Sequence, residues 1–434
     1  MESMKFCNCK KLFRQKILNL KFISTLLWAA VFLQSIFLVL HYAENRRPDV
    51  FHYIDNAEIL IQGKNPYLDG TARWGTVGSL FFLPFSRSLS EVQIAQLMIF
   101  ASIVSIILFF KYVIDLDKQI LPTVVCATLF LSPIRELFAL GQINAVCLGL
   151  ISASIALSKT QLQNRLANTI RYICISGMSA IAIDLKPHIF LLVSFVLYSH
   201  YLTRKLFGVT VAMLICCHVI VDLLGKRFYE LDWFKVIYSQ SNEYLISESK
   251  NIIGLLTLFN GNLQSLVKFT SVVLYCAIAF ILTRKKMNFS DQLLITSLMT
   301  FLLPYFHFYD LLVPTLILIR NIITQKVQPR LIEWVLLFLL TIQENIYSIT
   351  GIGSLVTMIV IVLLTRKYLL KVEIQVKFLN LLLPSILYFS IIEFLKRITN
   401  DNFTYQAIMN TLIVIGLLSI SWPALRQGIQ KLEK

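Results

Sequence analysis

Charge is scarce in this sequence. Asp, Glu, Lys and Arg make up only 15% of its 434 residues, against 57% apolar ones, and the mean hydropathy is +0.71. A soluble chain of this length needs charge over its whole surface and less apolar material to fill its core, so a soluble fold is excluded. The few charges also fall in short islands between long apolar runs, as loops do between membrane spans.

Paired cysteines are lacking too. The eight present, at positions 7, 9, 126, 147, 174, 216, 217 and 276, include no C-x-x-C pair and no second pair at zinc spacing. No disulfide framework and no metal site is expected. Most of them sit inside apolar runs, where a thiol behaves as a small hydrophobe. With 15 Gly and 11 Pro there is no flexible linker or low-complexity segment at which to divide the chain, so residues 1–434 read as one membrane unit. A dinucleotide fingerprint and a Gly-rich phosphate loop are both missing, so no cofactor is expected. The literal D-x-D at Asp115-Leu116-Asp117 lies in a short loop and reads as a solvated turn.

What is abundant is apolar sequence punctuated by positive charge. The net charge is +16 and the pI about 9.5. Nucleic acid would require those cations on one solvated face. They instead recur every one or two spans, which makes membrane lipids with anionic headgroups the better partner.

A basic tail with Lys5, Lys10, Lys11, Arg14, Lys16 and Lys21 precedes a first apolar run over 22–43, which reads as a retained span with a cytoplasmic N-terminus. Further spans are expected near 91–113, 120–133, 138–158, 172–184, 188–201 and 206–224. A second set follows near 265–283, 291–304, 308–322, 331–348, 352–365, 378–395 and 405–422. The fold class is therefore an all-α polytopic membrane protein of about 12–14 transmembrane helices. Alternating the loops puts most of the 40 Lys and Arg in the cytoplasm, including Arg204-Lys205, Arg284-Lys285-Lys286 and Arg366-Lys367. Two long loops, 44–90 and 225–264, then face the exterior of a plasma (inner) membrane.

The first of these loops is amphipathic. At helical spacing Val50, Ile54, Ala57 and Ile61 form one stripe, and Asp49, His52, Tyr53 and Asn56 another, which suggests a helix lying at the interface. Pro48 favours a helix start at Asp49, whose carboxylate reads either as a cap or as a catalytic group. Three more polar clusters fall at exterior helix ends: Arg135 and Glu136 with Gln142 and Asn144, then Asp184 to His188, then His307 to Asp310. Taken singly, Gln142 and Asn144 read equally as interhelical bonding partners, Lys186 and His188 as snorkelling side chains, and His307 with Asp310 as a local ion pair. Together they are five ionisable groups from separate segments on one side, and ionisable groups at membrane depth tend to face a cavity or pathway.

These places carry a resemblance. Asp49, Tyr53, Gly63, Pro66 and Tyr67 form D-x-x-x-Y…G-x-x-P-Y, followed in order by Gly141-Gln142-x-Asn144, Lys186-Pro187 and Pro304-x-x-His307. The set resembles the polyprenyl-phosphate-dependent glycosyltransferases of family 87, of the GT-C class, which include mycobacterial phosphatidylinositol mannoside mannosyltransferases. It covers 22–322 as the catalytic part and leaves 323–434 as C-terminal helices without an assigned role. The stretch 71–85 departs from the family in keeping Pro84 without a Tyr-Pro-Pro.

The resemblance implies a GT-C-like bundle. It also implies transfer of a sugar, mannose by default, from a polyprenyl-phosphate-linked donor to a lipid or glycan acceptor hydroxyl on the exterior, periplasmic face, with inversion. In that reading Asp49 is the general base. Lys186, His188 and His307 meet the donor phosphate, with Arg135 as a further cation, and Gln142 and Asn144 bind sugar or phosphate. Tyr53 and Tyr67 position the acceptor or the loop. The alternative from a different class is a transporter or flippase of a lipid-linked saccharide, which would be expected to show matching half-repeats. No such repeat is visible.

Overall fold

The computed structural model describes residues 22, 24–42, 49–69, 75–86, 88–160, 164–226, 229, 232, 270, 273, 275, 289–302, 307–324, 330–342, 359 and 408–420. Among the described residues every regular element is helical. The protein is an all-α polytopic membrane protein.

Four described helices are long and apolar enough to cross a bilayer: α1 (Ser24–Tyr42), α5 (Glu91–Leu108, extended to Val113 by a π-helical turn), α9 (Arg165–Leu185) and α11 (Arg204–Gly225). A bent pair, α6 (Leu121–Thr128) and α7 (Ser132–Leu140), turns by 67° and would make a fifth if counted as one span. Shorter helices are α2 (Val50–Ile61), α3 (Thr76–Leu80), α4 (Leu83–Ser86), α8 (Asn144–Ser158), α10 (Pro187–Tyr201), α12 (Phe289–Leu298), α13 (Leu312–Thr324), α14 (Leu331–Ile342) and α15 (Ile408–Ile420). The expected spans at 378–395 and, apart from a few residues, at 265–283 and 352–365 lie outside the described residues, as do Cys7 and Cys9.

Helix boundaries follow local chemistry. Ser90 and Gln93 cap α5 reciprocally, with the Ser90 N–H donating to Gln93 Oε1 at 2.9 Å. Asn164 and Thr203 cap α9 and α11 through their side-chain oxygens. Pro122, Pro133 and Pro187 stand in the first turns of α6, α7 and α10, where a missing N–H costs nothing. Gly141 ends α7 in the left-handed region at φ 61°, a conformation that favours glycine. The helix expected from about 172 begins earlier, at Arg165, because Arg165 and Arg171 lower the hydropathy of a first turn that is helical all the same.

The core is one apolar cluster running from α1 through α15. Within it α8 packs on α5 and α9, α9 on α11, and α10 on α12. Helices α8, α9, α10 and α11 run alternately up and down. The chain turns at 141–144 and 186 therefore lie at one end of the bundle, and those at 158–165 and 201–204 at the other.

Helix α2 is seated more deeply than an interfacial helix. Val50, Ile54 and Ala57 of the apolar stripe are buried, but so are Tyr53 and Asn56 of the polar one, while Ile61 is exposed. The cause is its position. It packs on α3 and α4, and the Asp49 N–H donates to Leu140 O at the end of α7, 2.9 Å away.

Candidate active site

Four chain turns meet at the 141–144 end. Asp49 occupies the N-cap position of α2 but makes no side-chain capping bond. Its carboxylate instead accepts a hydrogen bond from Gln142 Nε2. Asn144, the first residue of α8, donates from Nδ2 to Asp310 Oδ1 at 2.8 Å. A carboxylate only accepts, so both amide nitrogens must face their aspartates and both amide oxygens turn away. Gln142 Oε1 and Asn144 Oδ1 are buried without a hydrogen-bond partner. Buried polar atoms in this state are rare and call for an explanation.

Asp310 is the hub. It lies in a 3-10 turn, Phe308–Leu311, ahead of α13 and outside the four spans. Its Oδ2 accepts the His307 N–H at 2.8 Å and stands 3.9 Å from His188 Nε2. It is therefore not confined to a local pair with His307, because it joins α8 and α10 as well. Burial works to raise its carboxyl, but His188, Lys186 and His307 outweigh burial and hold it at about 2. Asp310 is ionised at any physiological pH.

Lys186 is the joint between α9 and α10, forced out of helical geometry (φ −144°, ψ 67°) by the proline that follows it. Its Nζ lies 5.5 Å from the Tyr309 ring, within cation–π range, and the same ring stacks on His307 at 5.0 Å. Tyr53 is buried against Phe82, within reach of the charges of Asp49 and Asp310. Burial pushes the phenols of Tyr53 and Tyr309 well above their ordinary value, with the nearby carboxylates adding to the rise, so both remain O–H donors.

Two candidates stand apart. Arg135 Nη2 donates to Thr341 O at 2.8 Å and reaches Ser132 Oγ at 3.4 Å, tying α7 to α14. Tyr67 belongs to a separate small cluster with Tyr229, beside Asn65, which donates to Asp232 Oδ2 at 2.7 Å.

A second polar centre pairs Asp184, from the 184–188 cluster, with His218, a residue outside the clusters read from sequence. Asp184, buried at the end of α9, accepts the Gly78 N–H at 2.5 Å, and its Oδ1 lies 2.5 Å from His218 Nε2. The Asp184 backbone carbonyl accepts the Gly75 N–H at 3.1 Å, and Thr76 Oγ1 lies 3.5 Å from His218 Nδ1. This centre clamps α3 onto α9 and α11. His218 and Asp222 interrupt an otherwise apolar run, and an ionisable group in such a run signals a buried partner.

The clamp leaves no room at Gly75, where a Cβ would stand 1.8 Å from Asp184 Oδ1. Gly75→Ala is expected to destabilise the protein by about 1–3 kcal/mol, read as a lower thermal unfolding midpoint in detergent. An unchanged midpoint would mean that the clamp does not hold α3.

The profile of glycosyltransferase family 87 matches residues 75–313, just over half of the chain. The chain belongs to glycosyltransferase family 87. The match spans Gln142, Asn144, Asp184, Lys186, His188, His307 and Asp310 together with the newly found His218, and it begins after Asp49, Tyr53 and Tyr67. No curated protein and no solved structure matches the chain. As a family-87 member the protein is a glycosyltransferase, acting on a sugar donor and an acceptor.

Proposed function

We propose that this family-87 glycosyltransferase moves a sugar, mannose by default, from a polyprenyl-phosphate-linked donor to the hydroxyl of a lipid or glycan acceptor. Transfer takes place at the exterior face of the plasma membrane. The observation that carries the reading is the meeting of a carboxylate (Asp49), three cation-forming side chains (Lys186, His188, His307) and two half-satisfied amides (Gln142, Asn144) at one end of a membrane bundle.

In one displacement the acceptor oxygen bonds to the anomeric carbon as the bond from that carbon to the phosphate oxygen breaks, inverting the centre. The acceptor proton passes to Asp49. Gln142 donates to that carboxylate and so holds it in place for the transfer. The electron pair leaves with the lipid phosphate, whose growing charge is met by Lys186, His188 and His307. Gln142 Oε1 and Asn144 Oδ1 have the acceptor capacity that sugar hydroxyls need. Arg135, engaged with Thr341, and Tyr67, packed with Tyr229, support the bundle and the loop rather than the donor.

The purified protein should transfer radiolabelled sugar to membrane lipids from polyprenyl-phosphate-mannose and not from a nucleotide-mannose. Transfer from the nucleotide donor alone would sink the reading. Lys186→Gln is expected to lower kcat/KM for the lipid-linked donor roughly 10²-fold, and full activity in that variant would remove Lys186 from the phosphate site.

A further inference from the structure

We propose that the end of the bundle opposite the candidate active site carries a second lipid site, which holds the phosphodiester headgroup of an anionic phospholipid between α9 and α11. The observation is a cavity of about 530 Å³ whose lining includes Ser158, Arg171, Tyr172, Tyr201, Thr203 and Lys205. Ser158, Arg171, Tyr172 and Tyr201 sit toward the far ends of the helices that begin or end at Asn144 and Lys186, and Thr203 and Lys205 open α11 beside them.

Three features fit this occupant. The first is charge. Arg171 and Lys205 line the cavity, no carboxylate does, and the one carboxylate felt by Tyr201, Asp115, sits beyond it near Val113, the residue to which the Tyr201 hydroxyl donates. Two more cations nearby have partners of their own: Lys159 donates to Tyr112 O at 3.0 Å while its Nζ lies 5.1 Å from the ring of Tyr201 at the cavity wall, and Arg204 lies over the Phe195 ring.

The second is an open donor. Arg171 Nη1 donates to Thr160 O, and its guanidinium lies 4.9 Å from the Tyr172 ring, yet its Nε is buried with no partner among the described residues. A guanidinium fixed on two sides with a donor left over is arranged for an anion. The hydroxyls of Ser158 and Thr203 add further capacity.

The third is depth and flank. α9 is a 21-residue span, about 30 Å long, and Arg171 lies six residues inside its start, about 9 Å from the end, near headgroup depth. Beside it Tyr172 of α9 and Val209 of α11 are exposed, and Ile220 and Leu223 continue the apolar face of α11 that carries Lys205 and Val209. A free phosphate has no use for that flank, whereas acyl chains do. The lipid is thus held by its phosphate in the cavity and by its chains along the exposed face of α11.

The test is native mass spectrometry of the full-length protein in detergent with added dioleoyl phosphatidylglycerol or dioleoyl phosphatidylcholine. Phosphatidylglycerol should be retained at least about tenfold more strongly, and Arg171→Gln with Lys205→Gln should lower that retention by about tenfold. Lys118→Gln with Arg165→Gln removes the same charge outside the lining and should leave retention unchanged. Val209→Asp places an anion at the exposed rim, without touching the core, and should weaken retention independently.

Equal retention of the two lipids would overturn the proposal, and so would an equal loss in the control pair. Displacement of the lipid by millimolar inorganic phosphate would show that the cavity reads phosphate alone, and would overturn it as well. Sugar transfer enters none of these readouts, so they stand or fall apart from the catalytic reading.

Discussion

Asp49→Asn is expected to lower sugar transfer by roughly 10² to 10⁴ while the protein stays folded. The geometry separates the two effects. The Asp49 N–H bond to Leu140 O belongs to the backbone and survives the change. An asparagine oxygen still accepts from Gln142, as the carboxylate does now. What the amide cannot do is take a proton from an attacking hydroxyl. The comparison is radiolabelled transfer from polyprenyl-phosphate-mannose by wild type and Asp49→Asn, both shown to elute as one species on gel filtration and to melt alike. A mutant as fast as wild type would leave the protein a glycosyltransferase and move the base elsewhere. Asp184 would then be the next candidate, since it is buried and lies within the family match.

Asp310→Ala is expected to cost more in stability than any other single change at this site, about 3–5 kcal/mol, the range for removing one side of a buried charge cluster. Three groups lose their partner at once: the Asn144 amide, the His307 N–H and the His188 ring. These come from α8, the 3-10 turn and α10, so the loss loosens a junction rather than one contact. Asp310→Asn keeps one acceptor oxygen and should lose less. A double-mutant cycle with Asn144→Ala, read by thermal unfolding in detergent, should give a coupling of about 0.5–3 kcal/mol. If Asp310→Ala melts with wild type, the hub is not holding these turns together.

The spans were readable where an apolar run is bounded by caps. α5 begins at Ser90 and α11 at Thr203, both with hydroxyl caps, and both were placed to within a few residues. The run from 120 to 158 was harder. It is apolar almost throughout, and hydropathy alone could not say that it breaks after Thr128 and again at Gly141, although Pro133 marks the first break and Gly141 the second. In the site, the residue types and their shared side were legible because polar groups at the ends of apolar helices are conspicuous. Their pairing was not. Gln142 with Asp49 and Asn144 with Asp310 are set by how α2, α8 and the 3-10 turn pack, and nothing local encodes a partner 93 or 166 residues away. The amphipathic reading of α2 missed its burial for the same reason, since periodicity shows that two faces differ but not that both are covered. His218 was passed over because its neighbours are apolar, and its carboxylate partner lies on another helix.

The 166-residue separation of Asn144 from Asp310 has a consequence for biosynthesis. At about 5–20 residues per second, ribosomal elongation takes roughly 8–33 seconds to cover that interval. For that time α2, α7 and α8 have already been synthesised, with Asn144 still waiting for its partner. A nascent chain halted before residue 310 holds Asp49 and Gln142 but lacks the hub that fixes α8 to α10. The junction of α8 with α10 and the 3-10 turn therefore closes late in translation, after nearly all of the family-matched segment has been made.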